Sequence, residues 1–211
     1  MRSRLKIEVC LLEREVVCPS LFNSFHSDGA SDDDYKLPAA AIRGAGIDIF
    51  AVGVGNSKLS ELQEITGKNE RAFRTRRFKE IAQFNQKLVG EICDATEAAC
   101  PDQEVDLIFM LDSSGSIGKH NFEIAREWLI SITKSFQIGP LATQVAVIQY
   151  TNNPTPEFDL DDYGTVSEVE NGLKRMRLAN GATRTDKARV LNFLTDFIIK
   201  TDKSKIISHR D

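Results

Sequence analysis

The hydrophobic pattern of the chain alternates between short continuous apolar runs and stretches with helical periodicity. Continuous runs of strand length lie at 47–54, 105–111 and 141–150. Their length and composition are typical of strands that are buried on both faces of a parallel sheet. Helices are predicted by the periodic stretches at 35–46, 58–66, 78–92, 120–136, 166–176 and 186–200. This alternation predicts an α/β fold with a Rossmann-like, mostly parallel central sheet that is flanked by helices.

Two parts of the chain give a weaker pattern. Residues 1–26 mix apolar and charged positions without a clean period, so we assign them no element. The polar segment 151–162 contains Pro154 and Pro156 and is either a strand at the sheet edge or a surface loop. Within the predicted helix 120–136, Trp128 lies beside the apolar stripe, and we expect it to belong to the core.

A cluster of oxygen-bearing side chains follows the strand at 105–111. Asp112, Ser114 and Ser116 are spaced by two residues, and in extended chain this spacing directs alternate side chains the same way. We therefore expect one carboxylate and two hydroxyls to converge at the carboxyl end of the strand. Mg²⁺ or Mn²⁺ prefers such hard ligands, and no Cys or His lies nearby in sequence to suggest zinc.

The Asp-x-Ser-x-Ser pattern after a hydrophobic strand resembles the metal-ion-dependent adhesion site of the von Willebrand factor type A domain. Ser27-Asp-Gly-Ala-Ser31 is similar to the Thr-Asp-Gly-x-Ser turn of that family, and 46–55 is similar to its next strand. The resemblance implies that Asp28 joins the metal site. It also implies that Thr183, in the Gly-x-Thr-x-Thr turn at 181–185, supplies the threonine ligand, although either threonine of this turn could cap the helix that follows.

The glycines of 53–55 also suggest a dinucleotide-binding turn. The third glycine of that fingerprint is missing at the required offset, so we prefer the strand of the A domain.

The resemblance covers the chain in two incomplete halves. The predicted organisation is an unassigned segment at 1–26, the back of one A domain at 27–93, a Cys-bearing linker at 94–104, and the front of a second A domain at 105–211. One interpretation is a fragment or truncated isoform of a tandem array, of the kind found in collagens with A domains and in matrilins, with further A domains in a longer parent protein. The other is one composite, circularly permuted domain that contains all five predicted site residues.

The composite interpretation needs a central strand that leads into Asp28. Residues 23–26 are not apolar enough for that position, so we expect a damaged centre and marginal stability. In this arrangement Cys93 and Cys100 close a small loop, and we predict a disulfide between them under oxidising conditions. The four cysteines are also compatible with reduced thiols, so cysteine usage alone does not determine the cellular compartment.

Composition and charge exclude some classes of function. A net charge of −4 gives no electrostatic case for nucleic acid or an anionic membrane. No apolar run approaches the roughly 20 residues that a membrane-spanning helix needs. The amino terminus is interrupted by Glu8, Glu13 and Glu15 and is not expected to be a signal peptide. The family resemblance nevertheless implies a secreted, extracellular matrix location.

The resemblance implies adhesion: an extracellular module that binds collagen or other matrix proteins through a divalent cation. A metal-free structural or interaction fragment of a tandem A-domain protein is the alternative. A metal-assisted hydrolase that uses Asp112 and Asp28 would need a base, and His26, His120 and His209 have no evident orienting group in the sequence. We therefore predict binding and not catalysis, and expect His120 to be a surface residue.

Overall fold

A computed structural model of the chain describes residues 5–13, 35–95, 104–151, 153–181, 193 and 197. The strands and helices follow in the order β1 Leu5–Glu13, α1 Lys36–Gly44, β2 Ile47–Val54, α2 Leu59–Thr66, β3 Ala72–Thr75, α3 Asn85–Ala95, β4 Val105–Asp112, α4 Gly118–Thr133, β5 Gln144–Tyr150, β6 Pro154–Phe158 and α5 Val166–Arg175. Two 3₁₀ segments, Asn69–Arg71 and Phe78–Phe84, precede β3 and α3. Residues 193 and 197 are also helical.

All six described strands lie in one sheet with the order β3-β2-β1-β4-β5-β6. Every neighbouring pair is parallel except β5 and β6, which pair antiparallel at the edge. Prolines are tolerated there, because an edge strand leaves part of its backbone without a neighbour. The predicted α/β class with a mostly parallel sheet is confirmed, and the segment around Pro154 and Pro156 is an edge strand.

The strand β1 occupies the centre of the sheet, in a segment to which the sequence pattern assigned no element. It pairs with β2 from Lys6 to Glu13 and with β4 from Leu5 to Leu11. The composite interpretation expected a poorly formed central strand at 23–26, a segment outside the described residues. Strands from both stretches that resemble A domains therefore share one sheet. The assignment of these stretches to separate domains stays a prediction.

The sheet is covered on both faces, which gives a three-layer α/β/α arrangement. All eight residues of β4 are buried, because helices cover both of its sides. One face packs against α3, α4 and α5, and the other packs against α1 and α2. Trp128 is 3% exposed and belongs to the first of these cores, as predicted. Within the described ranges, no helix has the length and apolarity required to cross a membrane.

Several boundaries differ from the prediction. The predicted helix at 78–92 begins as the 3₁₀ segment and becomes α-helical only from Asn85. The strand expected at 141–150 begins at Gln144, because residues 139–143 form a turn that bonds back to residue 137. The short strand β3 was not predicted; its four residues are too few to show a period.

Candidate functional site

The polar turn that follows β4 is largely buried. Asp112 is 1% exposed, and Ser113 and Ser114 are fully buried, whereas Ser116 is exposed. The carboxylate oxygen Oδ1 of Asp112 accepts a 2.8 Å hydrogen bond from the backbone N–H of Ser114. This bond bends the chain away from the strand direction, as Asp side chains commonly do in turns. The turn therefore leads from the buried end of β4 to the solvent-exposed Ser116.

The predicted site residues of this turn lie together. The Oγ atoms of Ser114 and Ser116 are 3.1 Å apart, within hydrogen-bond distance of each other. Because Asp112 is bonded to the backbone of Ser114, its carboxylate belongs to the same turn. The structure thus brings together Asp112, Ser114 and Ser116, through a turn and not through the extended chain that the spacing of two assumed.

A second segment, residues 179–181, packs against this turn. The backbone N–H of Ala179 donates to Ser113 Oγ at 2.6 Å, and that of Asn180 donates to the Ser113 carbonyl at 3.1 Å. The backbone N–H of Gly115 donates to the Gly181 carbonyl at 2.9 Å. These three bonds fix residues 179–181 beside the serines. The role of Ser113 was not predicted from the sequence, because its partner lies 66 positions away in the chain.

Gly181 is required by close packing against the residue that follows β5. A Cβ atom at Gly181 would lie 2.6 Å from both Cβ and Oγ1 of Thr151. That separation is well inside van der Waals contact, so a side chain here would displace the loop or Thr151. Glycine therefore allows the loop to approach the ends of β4 and β5 together.

Two of the predicted site residues, Asp28 and Thr183, lie outside the described residues. Gly181 is the last residue of its segment that the structure describes. The roles of Asp28 and Thr183 stay predictions.

The donor set at the end of β4 suits a hard cation. It consists of one carboxylate and two hydroxyls, which are the ligand types that Mg²⁺ or Mn²⁺ accepts. Among the residues that the structure describes, no group of three His, Cys, Asp or Glu side chains is arranged to hold a metal ion. A cation at this position would therefore depend on neutral hydroxyl oxygens as well as on Asp112. The exposure of Ser116 leaves the turn open to a partner.

The structure describes only some of the cysteines and histidines for which we made predictions. Cys93, in α3, is disulfide-bonded. Its predicted partner Cys100 lies outside the described residues, so that pairing stays a prediction. His120 lies exposed in the first turn of α4, as expected for a surface residue. His26 and His209 fall outside the described ranges.

The chain belongs to the von Willebrand factor type A domain family. The model of this family matches residues 25–87 and 106–205. Both matches coincide closely with the two stretches whose motifs carried the resemblance, and the first of them begins before the turn that contains Asp28.

The relatives include chains of collagen VI. The human collagen alpha-5(VI) chain is 35% identical over 180 residues, which cover 85% of this chain and 7% of that protein. Bovine vitrin is 27% identical over 190 residues, which cover 83% of this chain and 29% of vitrin. The chain thus spans only a small part of the length of these relatives.

One solved structure shares the fold over nearly the whole chain. It is an uncharacterized protein from Alicyclobacillus acidocaldarius, with a TM-score of 0.54 and 14% identity, and the match covers 95% of this chain and 96% of that one. At this identity the likeness concerns the fold alone.

Proposed function

We propose that this chain is an extracellular matrix adhesion module that binds protein ligands through a divalent cation. Asp112, Ser114 and Ser116 would hold the cation, together with Asp28 and Thr183. The observation that carries the proposal is the meeting of the Ser114 and Ser116 hydroxyls, 3.1 Å apart, beside a carboxylate that is 1% exposed. The relatives among collagen VI chains support a matrix role and a longer, multidomain parent protein.

The chemistry of the donor set suggests what the site binds. A bound Mg²⁺ or Mn²⁺ with few anionic ligands would remain electrophilic and would accept a carboxylate oxygen from a partner. Asp112 contributes charge, and its hydrogen bond to the backbone of Ser114 holds the carboxylate at the end of β4. Ser114 and Ser116 contribute neutral oxygens. The loop 179–181 keeps the turn in place through its bonds to Ser113 and Gly115.

Binding, and not catalysis, is the activity that this arrangement supports. Within the described residues, the turn contains no imidazole that would serve as a general base. The cluster has hydroxyls, but a hydroxyl nucleophile needs an adjacent base for activation. The collagen and vitrin relatives are consistent with a non-enzymatic module.

The first test is calorimetric titration of the purified chain with Mg²⁺, and with Mn²⁺ and Zn²⁺ in parallel. Zinc is included because sites of mixed oxygen ligands generally bind it more tightly than manganese. Asp112→Asn removes the charge while it retains an acceptor for the Ser114 N–H. Asp28→Ala and Thr183→Ala test the residues that only the family resemblance assigns. Ser135→Ala is the matched control, because Ser135 is an exposed serine beyond the opposite end of α4.

The expected result is saturable Mg²⁺ binding that Asp112→Asn, Asp28→Ala and Thr183→Ala each weaken by at least about tenfold, an amount typical of losing a ligand or its immediate support. Immobilised collagen should then retain the chain in Mg²⁺ and release it in EDTA. If the unmutated, folded chain binds none of the three metals, the adhesion mechanism is wrong and a metal-free structural module is the better account. If Asp112→Asn alone abolishes binding, Asp28 does not belong to the site.

A further inference from the structure

A basic stretch of the chain runs through β3 into the 3₁₀ segment that follows it. Residues 71–79 contain five basic residues and no acidic one, although the whole chain has a net charge of −4. Arg71 is buried and forms an ion pair with Asp48. At an ionic strength of about 0.15 M the Debye length is about 8 Å, so the local excess of charge determines what binds at this surface. The other four basic residues are exposed: Arg74, Arg76, Arg77 and Lys79.

The guanidinium of Arg74 is held at the carboxyl end of β2. Arg74 lies in β3 beside Gly53 of β2. Its Nε donates to the Ser57 carbonyl at 2.6 Å, and its Nη2 donates to the Gly55 carbonyl at 2.9 Å. Within the described residues, its Nη1 makes no hydrogen bond. The group is thus ordered before any ligand binds, which lowers the entropic cost of binding to it.

Two more arginines follow Arg74 in the bend after β3. In the described part of the chain, no carboxylate lies within ion-pair distance of Arg74 or Arg76. Arg77 Nε donates to Glu80 Oε1 at 2.6 Å, and Thr75 Oγ1 donates to Glu80 Oε2 at 2.6 Å. These hydrogen bonds, from Thr75 first and then Arg77, lower the pKa of the Glu80 carboxyl, so it remains ionised. One carboxylate therefore offsets one of the three arginine charges.

The beginning of α2 adds to the positive potential at this end of the sheet. The N-terminal end of a helix carries a partial positive charge and disfavours cations. The residue before α2 is nevertheless Lys58, and it follows the Ser57 carbonyl that holds Arg74. The acidic residue of the first turn, Glu61, lies 2.8 Å from Lys58 Nζ and neutralises that lysine. The charge of Arg74 is therefore placed where it costs stability, and such local conflicts often mark functional surfaces.

Protection of the sheet edge explains these charges only in part. β3 is an edge strand, and charged side chains on edge strands, lysines especially, prevent pairing with another chain. The guanidinium of Arg74 is instead bonded to the turn after β2. All three residues are arginines, which bind oxyanions through paired hydrogen bonds and are more weakly hydrated than lysines. Lys79 lines a groove together with Glu123 and Glu127 of α4, so we leave it out of the surface.

We propose that Arg74, Arg76 and Arg77, which we call the basic edge, bind a sulfated polysaccharide. The inference uses neither the turn after β4 nor a metal ion, so it stands independently of the proposed function. The Cα atoms of Arg74 and Arg77 lie within about 11.4 Å of each other, because consecutive Cα atoms are about 3.8 Å apart. A linear polyanion with closely spaced sulfates can contact all three arginines at once. Clusters of basic residues of this kind are typical of heparin-binding patches.

Other polyanions fit the basic edge less well. Single-stranded nucleic acid stacks its bases on exposed aromatic rings, whereas Phe73 and Phe78 are 3% and 4% exposed. A membrane surface binds through apolar side chains as well as charge, and Leu59 is the exposed large hydrophobic residue nearest in sequence to Lys58. One such leucine is not an apolar face. The matrix relatives support a polysaccharide, because sulfated polysaccharides occur in the extracellular matrix.

The test measures binding of the full chain to a fluorescently labelled heparin oligosaccharide by anisotropy in EDTA, which removes any contribution of a metal. Hyaluronan, which carries carboxylates but no sulfates, double-stranded DNA and phosphatidylserine vesicles are compared with it. Binding is measured at about 0.01 M and about 0.15 M salt, where the Debye length is about 30 Å and 8 Å. We expect heparin to bind most tightly and its affinity to decrease as salt is added, because the contacts are ionic.

Arg76→Gln is the first variant, because the side chain of Arg76 makes no ion pair within the described residues that its loss would disturb. It should weaken heparin binding about three- to fivefold, the effect of an exposed ionic contact, and Arg76→Lys should recover part of this loss. Adding Arg77→Gln should bring the loss to about tenfold. Arg175→Gln is the control for the lost charge and should change nothing. Arg175 bonds to Tyr163, whose ring packs on Phe158 of β6, the opposite edge of the sheet, about 24 Å from β3 at the usual strand spacing.

Glu80→Gln gives the opposite change. It releases Arg77 from its partner, while the amide oxygen still accepts from Thr75, so heparin affinity should rise about two- to threefold. Glu104→Gln removes the same charge at an exposed position before the amino end of β4 and should have no such effect. Circular dichroism and urea unfolding verify that each variant folds.

Each other outcome overturns the inference. Absence of heparin binding by the folded chain at low salt would exclude the polysaccharide, and heparin binding that Arg76→Gln and Glu80→Gln leave unchanged would place it elsewhere on the protein. Equal binding of hyaluronan would show that sulfate is not required. Tighter binding of DNA or of vesicles than of heparin, weakened by Arg76→Gln, would identify a different polyanion. Mg²⁺ binding in calorimetry is measured separately, so failure of the proposed function would leave these results unaffected.

Discussion

The backbone N–H of Ala179 donates a 2.6 Å hydrogen bond to the hydroxyl of Ser113. This bond joins the segment after α5 to the turn after β4. Ser113 is fully buried, so its hydroxyl has no access to water as an alternative partner. The geometry of the candidate site therefore depends on a serine that lies between the predicted ligands and is not itself one of them.

Replacing this serine should loosen the loop without removing a predicted ligand. Ser113→Ala leaves the Ala179 N–H without its acceptor, and we expect a loss of about 1 to 2 kcal/mol in the free energy of unfolding. Urea unfolding measures this loss, and Mg²⁺ calorimetry should show weakened but detectable binding. Ser135→Ala, which removes an exposed hydroxyl, should change neither quantity. Unaltered stability in Ser113→Ala would mean that the bond contributes nothing to the loop.

A side chain at Gly181 should be destabilising. In Gly181→Ala the new Cβ would lie 2.6 Å from Thr151 Cβ and Oγ1, so we expect a cost of about 1 to 3 kcal/mol, as for overpacked sites. Thr151→Gly removes the clashing atoms and should recover much of this loss in the double variant. Urea unfolding of the two single variants and the double variant gives the coupling between the sites. Simple additivity would contradict the predicted contact.

The central strand should make the fold one cooperative unit. Val9 pairs with Phe50 of β2 on one side and with Phe109 of β4 on the other. Val9→Pro removes a backbone donor and fixes the backbone in the middle of the sheet, and we expect a loss of about 3 kcal/mol or more. Circular dichroism and hydrogen exchange should show that protection is lost in β2 and β4 together.

Val9→Thr is the control for this experiment, because threonine retains both the backbone donor and the preference for a strand. It should preserve protection in both strands. If Val9→Pro leaves β4 protected while β2 exchanges freely, the two matched stretches unfold independently and the fold is not one cooperative unit.

The sequence was sufficient to predict the strands and the turn that have strong local signals. The strand β4 is entirely buried and, apart from Asp106, reads as a continuous apolar run. The hydroxyls of Ser114 and Ser116 meet as expected, but a turn bonded to Asp112 brings them together and not the extended chain on which the prediction was based. Thr183 and Asp28 came from the family resemblance and are not tested by the structure. Of the candidate site, the local sequence pattern therefore predicts only the end of β4 and the turn that follows it.

The missed features depend on contacts between distant segments. The strand β1 contains Lys6, Glu8 and Glu13, which interrupt the apolar run expected of a central strand. Its place between β2 and β4 follows from pairing across long stretches of chain, which a local period does not encode. The Ser113–Ala179 bond likewise spans 66 positions and has no local signature. Tertiary contacts thus determine which strand lies at the centre of the sheet and which hydrogen bond holds the turn of the candidate site.

Stability should decrease as pH rises through the titration of Glu157. Burial raises the pKa of this carboxyl, while a 2.8 Å hydrogen bond from Gln149 Nε2 partly opposes the shift. Between the two pKa values, the folded state therefore retains a proton that the unfolded state has released. The stability that this proton contributes is fully present below the pKa of the unfolded state and is lost above the pKa of the folded state.

Glu157→Gln keeps a neutral side chain at all pH values. It should therefore flatten this part of the stability profile and raise the stability at neutral pH relative to the wild type. Urea unfolding between pH 4 and 8 measures the difference, which should be small because Glu157 is exposed. Glu104→Gln changes the same charge at an exposed position just before β4 and serves as the control. Parallel profiles for wild type and Glu157→Gln would refute the assignment.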